Sequence, residues 1–215
     1  MSSALPTREP GTAMRSGGIV VSWNRELSDS GVLAAAAQEF YGRQVDRLAG
    51  LGIDAGGFSL SHVAVRAPTW RDYLETRHGL EAAATANFEN VWNGRPISKI
   101  VLAEPLMLGE RTLDLIELIP PFHQRVYAMG LEHLGFVVGD LQSFVDQHMD
   151  VLTGMQFQSR TCTPAYVMFP DYTHVKFYAR SLQDECEKEG AVFSGFRHAS
   201  WNTADDLAGP YEVLL

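Results

Sequence analysis

Twice along this chain the hydrophobic pattern runs strand, helix, three strands, and that repeated order limits the fold more than any other feature. SLSHVAVRA (59–67) alternates like a half-buried strand. A helix capped by Thr69 is predicted after it, running through Tyr73, Leu74 and an alanine-rich stretch to about Phe88. Three strands are predicted next, over 88–92, 98–108 and 112–119, and Pro120-Pro121 closes the run. A linker over 122–130 leads to a new strand, GLEHLGFVV (130–138), then a capped helix over about 140–153 and strand-like stretches near 155–160, 164–169 and 173–179. The halves share little residue identity, so the repeat is one of topology.

Flanking segments complete the plan. Residues 28–51 carry a helical signal, with Ser28 or Asp29 able to cap, Ala36, Phe40, Val45 and Leu48 at helix-compatible intervals, and Gly50 and Gly52 as a stop. Residues 1–18 are rich in Ser, Gly, Pro and Thr and read as a disordered leader. Residues 181–190 read as helical, and 191–215 form an ambiguous C-terminal extension. The expected organisation is a single α+β domain over 19–190, with module one at about 59–121 and module two at about 130–180.

A net charge of -9 and a pI near 5.2 favour solubility and weigh against nucleic acid or an anionic membrane as partners. No apolar run approaches the roughly 20 residues that span a bilayer, and the N-terminus lacks the pattern of a secretory signal. Cys162 and Cys186 have neither zinc spacing nor a CxxC arrangement, so free thiols in a reducing cytoplasm are expected.

Chemistry concentrates on the first strand of each half. SHVAV and EHLGF both set a His at the strand start, followed by small and apolar residues in alternation. Two-fold symmetry of the repeat would bring His62 and His133 to equivalent places on one face of the sheet, since alternation keeps His62, Ala64 and Arg66 together and His133, Gly135 and Val137 together. In DLIELIP, Glu117 sits between Ile116 and Leu118, where a carboxylate is costly to bury unless it is paired or binds a cation. Two imidazoles and one carboxylate suit Fe(II), Mn(II), Zn(II) or Ni(II) with open positions for water or substrate. Taken singly, either His could be an ordinary core residue, and Glu117 could instead pair with Arg66, Arg95 or Lys176. Arg66 and Arg95 are candidates for holding an anionic substrate group, since a planar guanidinium matches carboxylate or phosphate. Tyr127, Tyr178 and His174 are placed at the cleft. Alternation puts His174 on the face of Lys176, where it could join the ligand set. Glu132 is expected on the opposite face in a structural role, and Asn93-Gly94 in a tight turn.

The stretches SHVAVR (61–66), NGRPI (93–97), the EP of LAEPL (104–105), IELIPP (116–121), GLEHLGFVV (130–138) and VKFYARS (175–181) together resemble the YecM-like proteins of the vicinal oxygen chelate superfamily. That superfamily also holds glyoxalase I, extradiol dioxygenases and bleomycin- or fosfomycin-resistance proteins. The resemblance covers about residues 35–182 and implies paired βαβββ modules forming a curved mixed sheet around a divalent metal, here with an N-terminal helical extension. It places ligands at His62, Glu117 and His133 and sets Lys176 where a glyoxalase-like protein has Glu. An ammonium cannot ligate, so the resemblance implies three protein ligands plus solvent, with Lys176 or Tyr178 in catalysis and Arg66, Arg95, His174 and Tyr127 at the substrate. The expected function is a divalent-metal-dependent enzyme acting on a small oxygen-chelating substrate. With Fe(II), the favoured ion, it would be an oxygenase, and with Zn, Mn or Ni an isomerase or lyase. The alternative is a non-catalytic binding protein of the resistance type. Either would work as a monomer or homodimer.

Overall fold

A computed structural model of the chain describes residues 25–92, 94–121 and 127–200. The leader at 1–18, Asn93 of the expected tight turn, most of the 122–130 linker and the end of the C-terminal extension lie outside them. Asp29, as expected, caps the first helix, α1 (Ser30–Gly50), its carboxylate accepting from Gly31 N and Val32 N. Leu33, Ala37, Phe40 and Leu48 form the buried stripe of α1 and join the main core.

Both modules take the predicted order. Module one consists of β1 (Ser59–Arg66), α2 (Trp70–Glu81), β2 (Ala84–Trp92), β3 (Arg95–Leu108) and β4 (Arg111–Ile119). Module two consists of β5 (Gly130–Val137), α3 (Leu141–His148), β6 (Gly154–Met155), β7 (Ala165–Met168) and β8 (His174–Tyr178). Among the described residues all strands share one mixed sheet, in the order β6-β7-β8-β5-β1-β4-β3-β2-β9, where β9 is the short C-terminal strand Gly195–Arg197. In each module the first strand pairs in parallel with the last, β1 with β4 and β5 with β8, and the antiparallel β1–β5 pair joins the halves.

Two boundaries differ from expectation. α2, capped by Thr69, stops at Glu81 instead of running to Phe88, and the alanine-rich segment enters β2. Alanine's helix propensity yields there to a full antiparallel ladder with β3, from Ala84 opposite Leu102 to Trp92 opposite Arg95. The expected strand near 155–160 shrinks to the two residues of β6. Trp92 and Arg95 pair across the β2–β3 turn, where Gly94 holds φ at 79°, a conformation that favours glycine.

Alternation sends one side chain set to each face. Val63, Val65, Ile116, Leu118, Leu134, Phe136, Val175 and Phe177 pack with α1 in the main core. Ala64, Ile97 and Ile119 form a separate apolar group on the other face, and Leu115 joins α4 (Leu182–Lys188) in a third. α4 opens with the capping box of Ser181 and Asp184. Ala191 and Phe193 extend this cover, and β9 (Gly195–Arg197) adds a parallel edge strand to β2. The described part of the C-terminal extension is thus part of the sheet and its cover.

Candidate metal centre

Strand pairing alone brings the candidate ligands together. Ala64 of β1 lies opposite Glu117 on one side and opposite His133 on the other, while His62 lies opposite Gly135. His62 Nε2 is 3.1 Å from His133 Nε2, His133 Nε2 is 3.2 Å from Glu117 Oε2, and His62 Nε2 is 3.6 Å from the same oxygen. Ligand atoms about 2.0–2.2 Å from one ion stand roughly 2.9–3.5 Å apart at octahedral to tetrahedral angles, so the triangle is already close to the spacing of a coordination face. Glu117 Oε2 is buried and, despite its closeness to His133, has no well-formed hydrogen bond. Such an orphaned carboxylate oxygen facing two imidazole nitrogens fits a cation and is costly without one.

The protonation states agree with that chemistry. Burial is the largest influence on His62 and lowers its pKa to about 3 against an opposing pull from Glu117, so the ring is neutral. Burial alone would raise Glu117, but the close approach of His133 and the fields of His62, His133 and Lys176 hold it well below the ordinary carboxylate range. Neutral imidazoles and an ionised carboxylate are the forms that bind metal.

Two β-bulges aim the ligands. Between Leu60 and His62 the β1 strand carries one residue more than β5, and between Ala64 and Val65 the excess is on β5. The extra residues are Ser61 and Glu132, each just before its His. Ser61 Oγ lies 2.9 Å from His62 Nδ1 and accepts from Leu182 N. Glu132 Oε2 lies 3.8 Å from His133 Nδ1. The bulge corrects the expected orientation of Glu132, since simple alternation would send it to the other face and it lines the cavity instead. Gly135 is needed here for space, because a Cβ on it would stand 2.5 Å from His62 Cε1 and 2.6 Å from Nδ1.

Above the triangle opens a cavity of about 170 Å³. Lys176 and His174 of β8 line it, as alternation predicted. His174 does not join the triangle: its ring stacks on His133, with centroids 4.6 Å apart, and groups with Glu132 and His133 instead. Tyr178 is a second correction. It packs edge-on against His62 with its hydroxyl accepting from Gln158, it is not part of the cavity wall, and burial pushes its pKa well above the usual value.

Arg66 is committed within the protein, with Nε and Nη2 donating to the two oxygens of Glu132 at 3.1 Å each and Nη1 to Pro120 O. Tyr127 covers its guanidinium at 3.8 Å. Arg95 donates to Pro121 O. Cys162 and Cys186 line the cavity as free thiols, which burial pushes up to about 12 and about 11.

Lys99 of β3 is the site residue that sequence reasoning missed. It lies opposite Glu117 in the ladder and lines the cavity. Its signal was the one that singled out Glu117, a charge inside an apolar strand (SKIVLAEPL).

The family model described as YecM protein matches residues 31–188. Among solved structures, "Structural Genomics, Protein EC4020" is 22% identical, covers 80% of this chain and 100% of its own, and superposes with a TM-score of 0.63. A mutant of the fosfomycin resistance protein FosX from Listeria monocytogenes, complexed with Mn(II) and 1S,2S-dihydroxypropylphosphonic acid, is 12% identical over 61% of this chain and 97% of its own, with a TM-score of 0.23. FosX from Mesorhizobium loti is 14% identical over 60% and 97%, with a TM-score of 0.22. No curated protein sequence matches significantly. With its family model matched over well more than half of the chain, this chain belongs to the YecM family, and its paired βαβββ modules in one sheet are the fold that the resemblance implied.

Proposed function

We propose that the chain is a divalent-metal-dependent enzyme acting on a small substrate that chelates the ion through two neighbouring oxygens. The observation that carries this reading is the buried triangle of His62 Nε2, His133 Nε2 and Glu117 Oε2 below the cavity. A bound ion would act there as a Lewis acid or, as Fe(II), support oxygen activation, the chemistry that a two-His, one-carboxylate face favours. The protein's own share is to hold both rings and the carboxylate in place. Ser61 orients the His62 ring from behind by a hydrogen bond, while Glu132 sets its charge 3.8 Å from His133 Nδ1 and is itself locked by Arg66.

Lys176 stands where the internal repeat puts a counterpart to Glu117. Glu117 pairs with Ala64, two residues after His62, and Lys176 pairs with Gly135, two residues after His133. An ammonium there leaves three protein ligands and keeps a donor beside the reacting groups. Its pKa is pulled below the ordinary lysine value by burial, against the pull of Glu117, which suits a group that holds or passes a proton.

The test is to remove metal, reload anaerobically with Fe(II), Mn(II), Zn(II) or Ni(II), and follow catechols and aliphatic vicinal diols by oxygen uptake and by product chromatography. Oxygen uptake with Fe(II) alone supports an oxygenase, and oxygen-independent conversion with the other ions supports an isomerase or lyase. Tight ligand binding with no conversion under any ion would replace the enzyme with a binding protein.

A further inference from the structure

Charges around the cavity do not cancel evenly, and the imbalance identifies the kind of substrate that fits. Arg66 is neutralised by Glu132 through two hydrogen bonds. Glu185 faces Arg180 at 3.5 Å and Lys188 at 3.9 Å, Glu189 is exposed to solvent, and Arg95 is engaged with Pro121 O. Glu117 is turned to the metal triangle. Two ammonium groups remain. Lys176 is only 6% exposed, lines the cavity, and has no hydrogen-bond or ion-pair partner among the described residues. Lys99 is 4% exposed, also lines the cavity, and donates only to neutral oxygens, Asn90 Oδ1 and Ile97 O.

A buried ammonium without a partner is expensive, and it persists where a ligand supplies the missing charge. Both lysines flank the centre. Lys99 lies opposite Glu117 in the β3–β4 ladder, and Lys176 lies opposite Gly135, the residue that gives His62 its space. Resting on the metal reading above, we infer that the substrate is a small acid: two vicinal oxygens meet the ion while a carboxylate elsewhere on the molecule is held by Lys176 and Lys99. The cavity's 170 Å³ limits that acid to about the size of one substituted six-membered ring, since a void of roughly 150 Å³ holds benzene. Sequence reasoning gave this role to arginines, but Arg66 is already satisfied inside the protein.

The probes are catechol, 2,3-dihydroxybenzoate and 3,4-dihydroxybenzoate, titrated calorimetrically into Zn(II)-loaded protein whose metal content is measured first. At least one acid should bind about tenfold or more tightly than catechol. Lys176→Met should abolish that preference, read as the ratio of acid to catechol affinity at measured Zn(II) occupancy, and Lys99→Met should reduce it. Methionine replaces each buried ammonium with an apolar chain of similar volume, and circular dichroism with thermal melting confirms that the variants fold. Equal binding of catechol and both acids, or a preference that survives both substitutions, would overturn the inference. Failure of the wild type to take up Zn(II) would sink the metal reading alone. The same three titrations on metal-free protein would then decide the anion site, with Lys176-dependent preference for an acid supporting it and no preference ending it.

Discussion

Module one and module two place different chemistry on the same frame. Each opens with a His behind a bulged residue, Ser61 before His62 and Glu132 before His133. Each follows with a small residue, Ala64 or Gly135, that pairs in parallel with the last strand of its module. At that paired position module one carries Glu117 and module two carries Lys176. Had both been carboxylates, the repeat would have offered four ligands. One carboxylate and one ammonium instead give the site a polarity, with a cation expected on one side and an anion on the other. The modules also differ four residues past each His, where Arg66 is buried against Glu132 and its counterpart Val137 is apolar.

That last difference gives the largest expected effect. Arg66→Ala leaves Glu132 buried without its partner and should cost about 3–5 kcal/mol of unfolding free energy, whereas Val137→Ala should cost about 1 kcal/mol. Urea denaturation of both variants measures it, and equal costs would remove the asymmetry. Next is the space beside His62. Gly135→Ala should cost about 1–3 kcal/mol and weaken metal binding, because the new methyl meets the ring at 2.5 Å, while Gly42→Ala on α1, with open space around it, should be neutral or better.

The buried imidazole predicts acid sensitivity of the metal-free protein. Unfolded His62 takes its proton near pH 6.5, and the folded ring resists to about 3. The unfolded state therefore binds more protons across that window, and stability falls as pH falls, with a slope approaching about 1.4 kcal/mol per pH unit. Glu117 and Glu132, both held low in the fold, add loss in the same direction below about 4.5. His174, also pushed well below its ordinary value by burial, contributes in the same window, so His62→Gln should reduce the slope between pH 6.5 and 4.5 by about half and leave the steeper acid limb. An unchanged slope there would mean that His62 is not buried neutral. The smallest effect belongs to Ser61→Ala, expected to lower metal affinity about tenfold, at the weak end of what outer partners contribute. A titration showing no change would mean that Ser61 does not orient the ring.

How much of this was legible depended on whether a residue's position follows simple alternation. His62, Glu117 and His133 stood out because titratable groups inside apolar strands are costly, and the repeated order of elements put them on neighbouring strands. Lys176 and His174 followed from period-two alternation on β8. Ser61 and Glu132 did not, because a bulge is an inserted residue set by pairing with another strand and leaves no periodic trace. The end of α2 at Glu81 was hidden for a related reason: AAATANF reads as helix by propensity and becomes strand only through β3. Tyr178 was drawn to the cleft by alternation, yet it packs edge-on against His62 and is not part of the cavity wall.

The most direct test of the central claim is the metal content of protein purified without a metal-binding tag, measured by elemental analysis on the wild type and on His133→Ala. The account predicts close to one divalent ion per chain in the wild type, or its stoichiometric uptake on titration, and loss of that ion in the variant. An empty wild type that takes up none of Fe(II), Mn(II), Zn(II) or Ni(II), or a variant that holds the ion as tightly as its parent, would contradict it.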